Sequence, residues 1–244
     1  MGLLLQSLFS PLLLGSVVQA SPTMMPLVGV IAVNLPDPCM AANPAIGTVC
    51  KDGTIWLGVL PTSISHAGNN GGKTKYMVAP KSTEVSLPWN DGTANYGSSG
   101  VEVVTSLTAK STVLGDANTA ILAAATAPGG GTYKAAKYCK DLNFAGYNDW
   151  YLPSKSEMAY IYCKSEQNGH DVAYPQEEPN CVGYGGKESL LKDFFPGSTV
   201  FYQSSTEVTG YTKWVQQTVN GQQFHSAGGN NKDWPNYVRC IRRF

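Results

Sequence analysis

The chain has 244 residues, with 17 Lys+Arg balanced by 17 Asp+Glu, and only 14% of its residues are charged. Zero net charge excludes a dedicated nucleic-acid binder, which carries a basic surplus. An apolar fraction of 43%, with 13 Tyr and 5 Trp, excludes a mainly disordered chain, and 26 Gly with 15 Pro make it rich in turns.

Residues 1–36 hold no charged side chain and no histidine; the first charge is Asp37. Leu3, Leu4, Leu5, Leu8, Phe9 and Leu12 form an apolar block that runs on towards Val18-Gln19-Ala20, a small-residue cleavage pattern. Such a start reads as a signal segment without its basic region, or as a retained apolar N-terminal arm with Met24 to Val33 as its second run. Pro11 and Gly15 interrupt the block, so a membrane-spanning helix fits poorly.

Residues 37–114 read as a strand- and turn-rich lead-in. Cys50-Lys51-Asp52-Gly53 marks a turn, Thr54 to Val59 a strand, and Lys75 to Val78 another inside the turn-rich stretch from Pro61 to Ser99. Val101, Val103 and Leu107 alternate with polar residues, as in a further strand.

Residues 115–244 carry the clearest helices. Asp116 to Thr126 predicts a short one, stopped by Pro128-Gly129-Gly130-Gly131. Lys134 to Phe144 places Ala135, Tyr138, Cys139 and Leu142 on one face at helical spacing. Ser154-Lys155-Ser156-Glu157 is a capping box that opens the next helix, with Met158, Ile161 and Tyr162 as its apolar stripe. Leu190 to Phe195 predicts a further short helix, stopped by Pro196-Gly197. The tail is strand-like over 199–204, 213–219, 222–226 and 237–242, with Asn220-Gly221 a two-residue hairpin turn.

Six cysteines stand at 39, 50, 139, 163, 181 and 240. No pair has Cys-x-x-Cys spacing and none has a histidine at ligand spacing, so disulfides are expected rather than a zinc site. Many pairings are open from sequence alone. Locality favours Cys39–Cys50 and Cys163–Cys181, which leaves Cys139–Cys240. The fold class that follows is α+β and disulfide-stapled, with two or three short helices and a twisted antiparallel sheet.

Several of these landmarks occur together in one family. Ala135-Ala136-Lys137-Tyr138-Cys139, then Gly146-Tyr147-Asn148-Asp149-Trp150-Tyr151-Leu152-Pro153-Ser154 with Glu157, resemble the signature of the Legionella collagen-like adhesin C-terminal domain family. Tyr202-Gln203-Ser204-Ser205-Thr206-Glu207, Trp214 with Asn220-Gly221, and Val238-Arg239-Cys240-Ile241-Arg242 agree in order and spacing. Cys50-Lys51-Asp52-Gly53-Thr54 and Gly115-Asp116-Ala117-Asn118-Thr119 resemble its extended form in bacterial and phage surface proteins. The resemblance covers 115–243 most specifically and 39–114 more weakly. It implies a C-type-lectin-like fold in which a helix cysteine joins one on the final strand, which supports Cys139–Cys240. It further implies an extracellular, cell-surface or virion-surface recognition module, often a homotrimer, that binds a glycan or cell-surface receptor. Where relatives commonly carry Tyr-Trp-Ser-Ser-Thr, this chain has Gln203 after Tyr202, so an aromatic is missing from a core or rim position.

Other constellations read more simply. Asp149 pins a turn, Trp150 and Leu152 plug the core, and Pro153 opens a helix. Trp89-Asn90-Asp91 and Glu178-Pro179-Asn180 resemble lectin calcium tripeptides, but in the reverse order. Asp171, Glu177 and Glu178 read as a solvated loop rather than a paired-carboxylate site. His66, His170 and His225 lie far apart and outside any nucleophile motif. No catalytic residue, cofactor or metal is therefore expected. The candidate ligand contacts are Tyr211, Lys213, Gln217, His225, Asn230, Lys232, Asp233 and Trp234, because flat aromatics stack on sugar faces while amides and ammoniums donate to hydroxyls. The rival reading of Trp234 and Tyr237 is that they complete the core. The alternative function is a virion decoration or fibre subunit that contacts other surface-assembly proteins and has no separate ligand.

Overall fold

Short polar side chains set where the early elements begin. Asp37 Oδ1 accepts from the Cys39 amide at 2.9 Å and opens a 3-10 turn, Pro38–Met40. It also accepts from Lys51 N at 3.2 Å, which closes the loop bridged by Cys39–Cys50. Asp52 Oδ1 then accepts from Thr54 N (2.9 Å) and Thr54 Oγ1 (2.6 Å), an Asx turn that passes through Gly53 at φ +84°. That turn feeds the first strand. The computed structural model describes residues 35–59, 72–91, 109, 114–127, 130–163, 177–178, 200–208, 212–217, 223–224 and 232–244, with the side chains at 162, 163, 177 and 178 left aside.

Within these residues the strands are β1 (Ile55–Val59), β2 (Lys75–Val78), β3 (Val85–Leu87), β4 (Thr126–Ala127), β5 (Gly131–Thr132), β6 (Glu177–Glu178), β7 (Phe201–Glu207), β8 (Lys213–Gln217), β9 (Gln223–Phe224), β10 (Asn236–Val238) and β11 (Ile241–Arg243). The α-helices are α1 (Gly115–Ala124), α2 (Lys134–Asp141) and α3 (Lys155–Cys163). One sheet runs β1-β2-β11, a second β3-β10-β7-β8-β9-β6, and β4-β5 form a hairpin. Pairing is antiparallel except between β10 and β7, which run parallel at Tyr237 and Tyr202, so the larger sheet is mixed rather than wholly antiparallel.

The expected strand over 237–242 is broken in two. Arg239 and Cys240 carry the chain from one sheet to the other: Arg239 Nε donates to Ala79 O at 2.7 Å, and Cys240 O accepts from Ala79 N at 2.9 Å. Residues 37–114, read from sequence as a lead-in, supply β1, β2 and β3 to the sheets that 236–243 complete, and Pro36–Phe244 is one compact unit. The expected helix over 116–126 stops at Ala124 because Thr126–Ala127 turns back in the β4-β5 hairpin, and the one from Lys134 stops at Asp141. The expected strand at 101–107, the helix at 190–195 and the Asn220-Gly221 turn lie outside the described residues.

The capping box forms as read: Glu157 N donates to Ser154 Oγ at 3.3 Å, and Ser154 N donates to Glu157 Oε2 at 2.8 Å. Burial pushes the Glu157 carboxyl up to about 7, against the Ser154 amide, the Tyr151 hydroxyl and Arg243, which favour the charged form. Helix α1 packs directly on this cap. Thr119 Oγ1 accepts from Leu152 N at 3.0 Å and donates to Leu152 O at 3.2 Å. Gly115 is the closest point of approach: a Cβ there would collide with Glu157 Oε2 and lie 2.5 Å from Ser154 N.

The disulfide Cys139–Cys240 joins α2 to the crossover between β10 and β11, as expected, with Cα atoms 5.4 Å apart. Ala79, Ala135, Trp150, Leu152 and Val238 surround it in a buried cluster. The third expected bridge, Cys163–Cys181, lies outside the described side chains. Gln203 explains its own departure from the family pattern. It is fully buried, and its Nε2 donates to Leu87 O (2.8 Å) and Asn236 O (3.3 Å), which ties β7 to both strands beyond it.

Two outcomes follow. Replacing Cys139 and Cys240 together by Ala lowers unfolding free energy by about 4 kcal/mol, since the closed loop spans 101 residues; a shift in the urea midpoint worth less than about 1 kcal/mol would contradict this role. Gly115→Ala costs roughly 2 kcal/mol through overpacking against the α3 cap, and an unchanged melting curve would show that the contact relaxes freely.

Candidate functional site

The segment 232–236 crosses the end of the larger sheet with three alternate carbonyls held from three directions. Lys232 O accepts from Trp89 N at 2.8 Å and Asn90 N at 3.2 Å. Trp234 O accepts from Lys213 Nζ at 2.9 Å, and Asn236 O accepts from Gln203 Nε2. Anchors on the carbonyls of 232, 234 and 236 fix the backbone path through this turn, while the Trp234 side chain stays outside it. The Trp234 indole is 45% exposed, Pro235 is exposed, and Tyr237 stands partly exposed against Tyr202 with ring centroids 5.5 Å apart. Tyr202 in turn donates to Glu84 Oε2 at 2.6 Å.

Beneath this shoulder lie charges that sequence reading placed on the surface. Lys232 is 3% exposed; its ammonium pairs with Glu207 and lies 5.0 Å from the Trp89 ring centroid. Lys213 has 0% exposure, and β7–β8 register sets it opposite Glu207. Burial lowers the Lys213 ammonium to about 7; Asp233 opposes that shift and Lys232 adds to it. These two lysines, expected as exposed donors, therefore face inward as backbone and carboxylate partners. Buried amines need such partners, which explains their placement.

Of the remaining candidates, Asp233 is half-buried beside Lys213, and Gln217 lies at the far end of β8, about 13 Å along the strand. Tyr211, His225 and Asn230 lie outside the described residues. Tyr237 is the exposed aromatic that the ligand set omitted; its position between the inward-facing Asn236 and Val238 is the period-two signal that could have found it. Trp234 and Tyr237 are thus not core residues, whereas Trp150 and Leu152 are buried as expected.

The calcium tripeptide at 89–91 is committed to structure. Trp89 is buried and its Nε1 donates to Ser204 O at 3.0 Å. Asp91 accepts from Thr132 N (2.5 Å) and Lys134 Nζ (2.9 Å), and the Thr132 amide chiefly holds its carboxyl below the usual range. The side chains of 178–180 lie outside the description. Among the described residues, Asp37, Cys39 and Cys50 form a grouping with metal-ligand atoms in reach, but both sulfurs are spent in a disulfide.

The buried lysine carries a pH signature. Its amine titrates near 7 folded and 10.5 unfolded, so the unfolded chain binds the extra proton between those values and stability rises with pH across that window. The expected slope is up to about 1.4 kcal/mol per pH unit; Lys213→Met removes it, and an unchanged slope in chemical denaturation would contradict the burial. Glu157 acts below this window and with opposite sign, its raised carboxyl reducing stability as pH rises towards about 7.

Set against known proteins, residues 81–242 match the family model described as the Lcl C-terminal domain. The match begins at the 3-10 turn before β3, well upstream of residue 115, and ends within β11. No curated protein matches the chain. Among solved structures, a fimbrial protein from Bacteroides ovatus is similar over 83% of this chain and 45% of that one, at 12% identity and a TM-score of 0.45. This chain thus covers less than half of that protein's length. A family match over more than half of the sequence, with its motif residues in the roles described above, places the chain in the Lcl C-terminal domain family.

Proposed function

We propose that the chain is a non-enzymatic recognition module of an extracellular, cell or virion surface, and that its C-type-lectin-like head binds a glycan or cell-surface receptor on the Trp234–Tyr237 shoulder. The observation that carries this reading is the 45% exposed indole of Trp234 on a segment whose carbonyls are held by three separate elements. A rigid exposed aromatic loses little conformational freedom on contact and offers a flat apolar face to a sugar ring or protein side chain. Membership of an adhesin domain family supports the same reading.

A glycan array probed with wild type and Trp234→Ala tests it. Truncating a central aromatic contact costs above about 1.4 kcal/mol, so binding to any positive glycan falls on the order of tenfold or more. Equal binding by the variant would remove Trp234 from the site.

We further propose a homotrimer. The family resemblance supports it, and the exposed Met40, Val49 and Val59 offer apolar surface to a partner. Light scattering should give the mass of three chains, and a monomer mass at micromolar concentration would contradict it.

A further inference from the structure

The middle anchor of the 232–236 segment differs in kind from the two beside it. Lys232 O and Asn236 O are held by amide N–H groups of Trp89, Asn90 and Gln203, none of which titrates. Trp234 O alone is held by an amine, Lys213 Nζ at 2.9 Å. A protonated amine donates a charge-assisted hydrogen bond roughly twice as strong as a neutral donor's. Gain or loss of that proton therefore acts on the peptide that bears the exposed indole, while the donors of the flanking anchors do not titrate.

We propose that Lys213 is a positioning residue for Trp234, so that protonation of this single buried amine sets how firmly the exposed indole is held. This deepens the recognition reading given above and rests on it for its consequence in binding, whereas the coupling itself is a property of the unliganded chain.

The charged groups around Lys213 determine where the switch works. From the 232–236 segment, Asp233 favours the ammonium and Lys232 disfavours it. From β7, Glu207 stands opposite Lys213 in register and pairs with Lys232. From α3, Lys155 lies 4.0 Å from the Trp214 ring centroid, on the strand that carries Lys213. Tyr133, just ahead of α2, is pushed up to about 12 by burial and by Glu207, so its phenol is neutral throughout. Burial outweighs Asp233, and the balance brings Lys213 to about 7. The direction is fixed: acid strengthens the anchor and base weakens it.

The test is fluorine NMR of the full chain labelled with 5-fluorotryptophan, the Trp234 signal being assigned from Trp234→Phe. Between about pH 5.5 and 8.5 the Trp234 signal should move through one titration with a midpoint near 7. Lys213→Met should abolish that movement while the buried Trp56 and Trp150 signals keep their native positions, which reports an intact fold. Asp233→Asn should shift the wild-type midpoint to lower pH, and it provides the decisive reading should Lys213→Met not fold. His225→Gln and Glu157→Gln should each leave the titration unchanged, since histidine and this buried carboxyl are the other groups that titrate in this range. A Trp234 signal independent of pH would overturn the proposal. So would a titration that persists in Lys213→Met, vanishes in His225→Gln or Glu157→Gln, or ignores Asp233→Asn. None of these outcomes depends on a ligand: Trp234 could titrate and bind nothing, or bind a glycan with no titration at all.

Discussion

Cys240 and the three arginines around it hold the molecule together at its last strands. Cys240 is bonded to Cys139 on α2, Arg239 pairs with Glu84, Arg242 makes two hydrogen bonds to Asp149, and Arg243 pairs with Asp116 on α1. The three acids and Cys139 belong to different parts of the chain, so one short segment fixes four of those parts at once. Buried ion pairs add little net stability because desolvation offsets their attraction, but breaking one strands a charge. Their contribution here is one of specification, because each guanidinium meets its carboxylate only when three separate segments converge on the last strands. Arg242 is held further by the rings of Tyr147 (3.8 Å) and Phe244 (4.8 Å).

The exposed shoulder depends on that tie. β10 lies between β3 and β7, and Asn236 and Val238 pair with Leu87 and Val85. The residues just before β10 can then be held only by what the sheet brings beneath them, namely Lys213 and Gln203, with Trp89 and Asn90 to one side. Burying two lysines under an aromatic shoulder is costly unless each finds a partner. Lys232 finds Glu207, and Lys213 finds a carbonyl. A shoulder of this kind has its backbone carbonyls held and its Trp234 side chain exposed, which suits the proposed recognition role.

Local chemistry was the part most legible in the sequence. The Ser154–Glu157 box, the turn at Asp52-Gly53 and the buried role of Trp150 and Leu152 all follow from short-range spacing, and they stand in the structure as read. The pairing Cys139–Cys240 followed from locality and the family resemblance. What escaped depends on distance. Nothing in the alternation of Tyr237 to Arg242 encodes that the chain changes sheets at Arg239. Lysine is read as a surface residue because it nearly always is, and the partner that buries Lys232 lies 25 residues away. Gln203 looked like a missing aromatic because its two carbonyl partners come from strands far off in sequence. Of the candidate ligand residues, Trp234 kept its exposure, while Lys213 and Lys232 proved to be its supports.

The account makes the terminal staple responsible for the order of the shoulder, and amide hydrogen exchange tests this most directly. Tyr237 on β10 and Val215 on β8 should exchange slowly in the wild-type chain. In a chain with serine at positions 139 and 240, both should lose protection together, because β10 and β8 flank β7 in one sheet. If the sheet amides keep their wild-type protection without the disulfide, the shoulder is ordered by something else and the account is wrong.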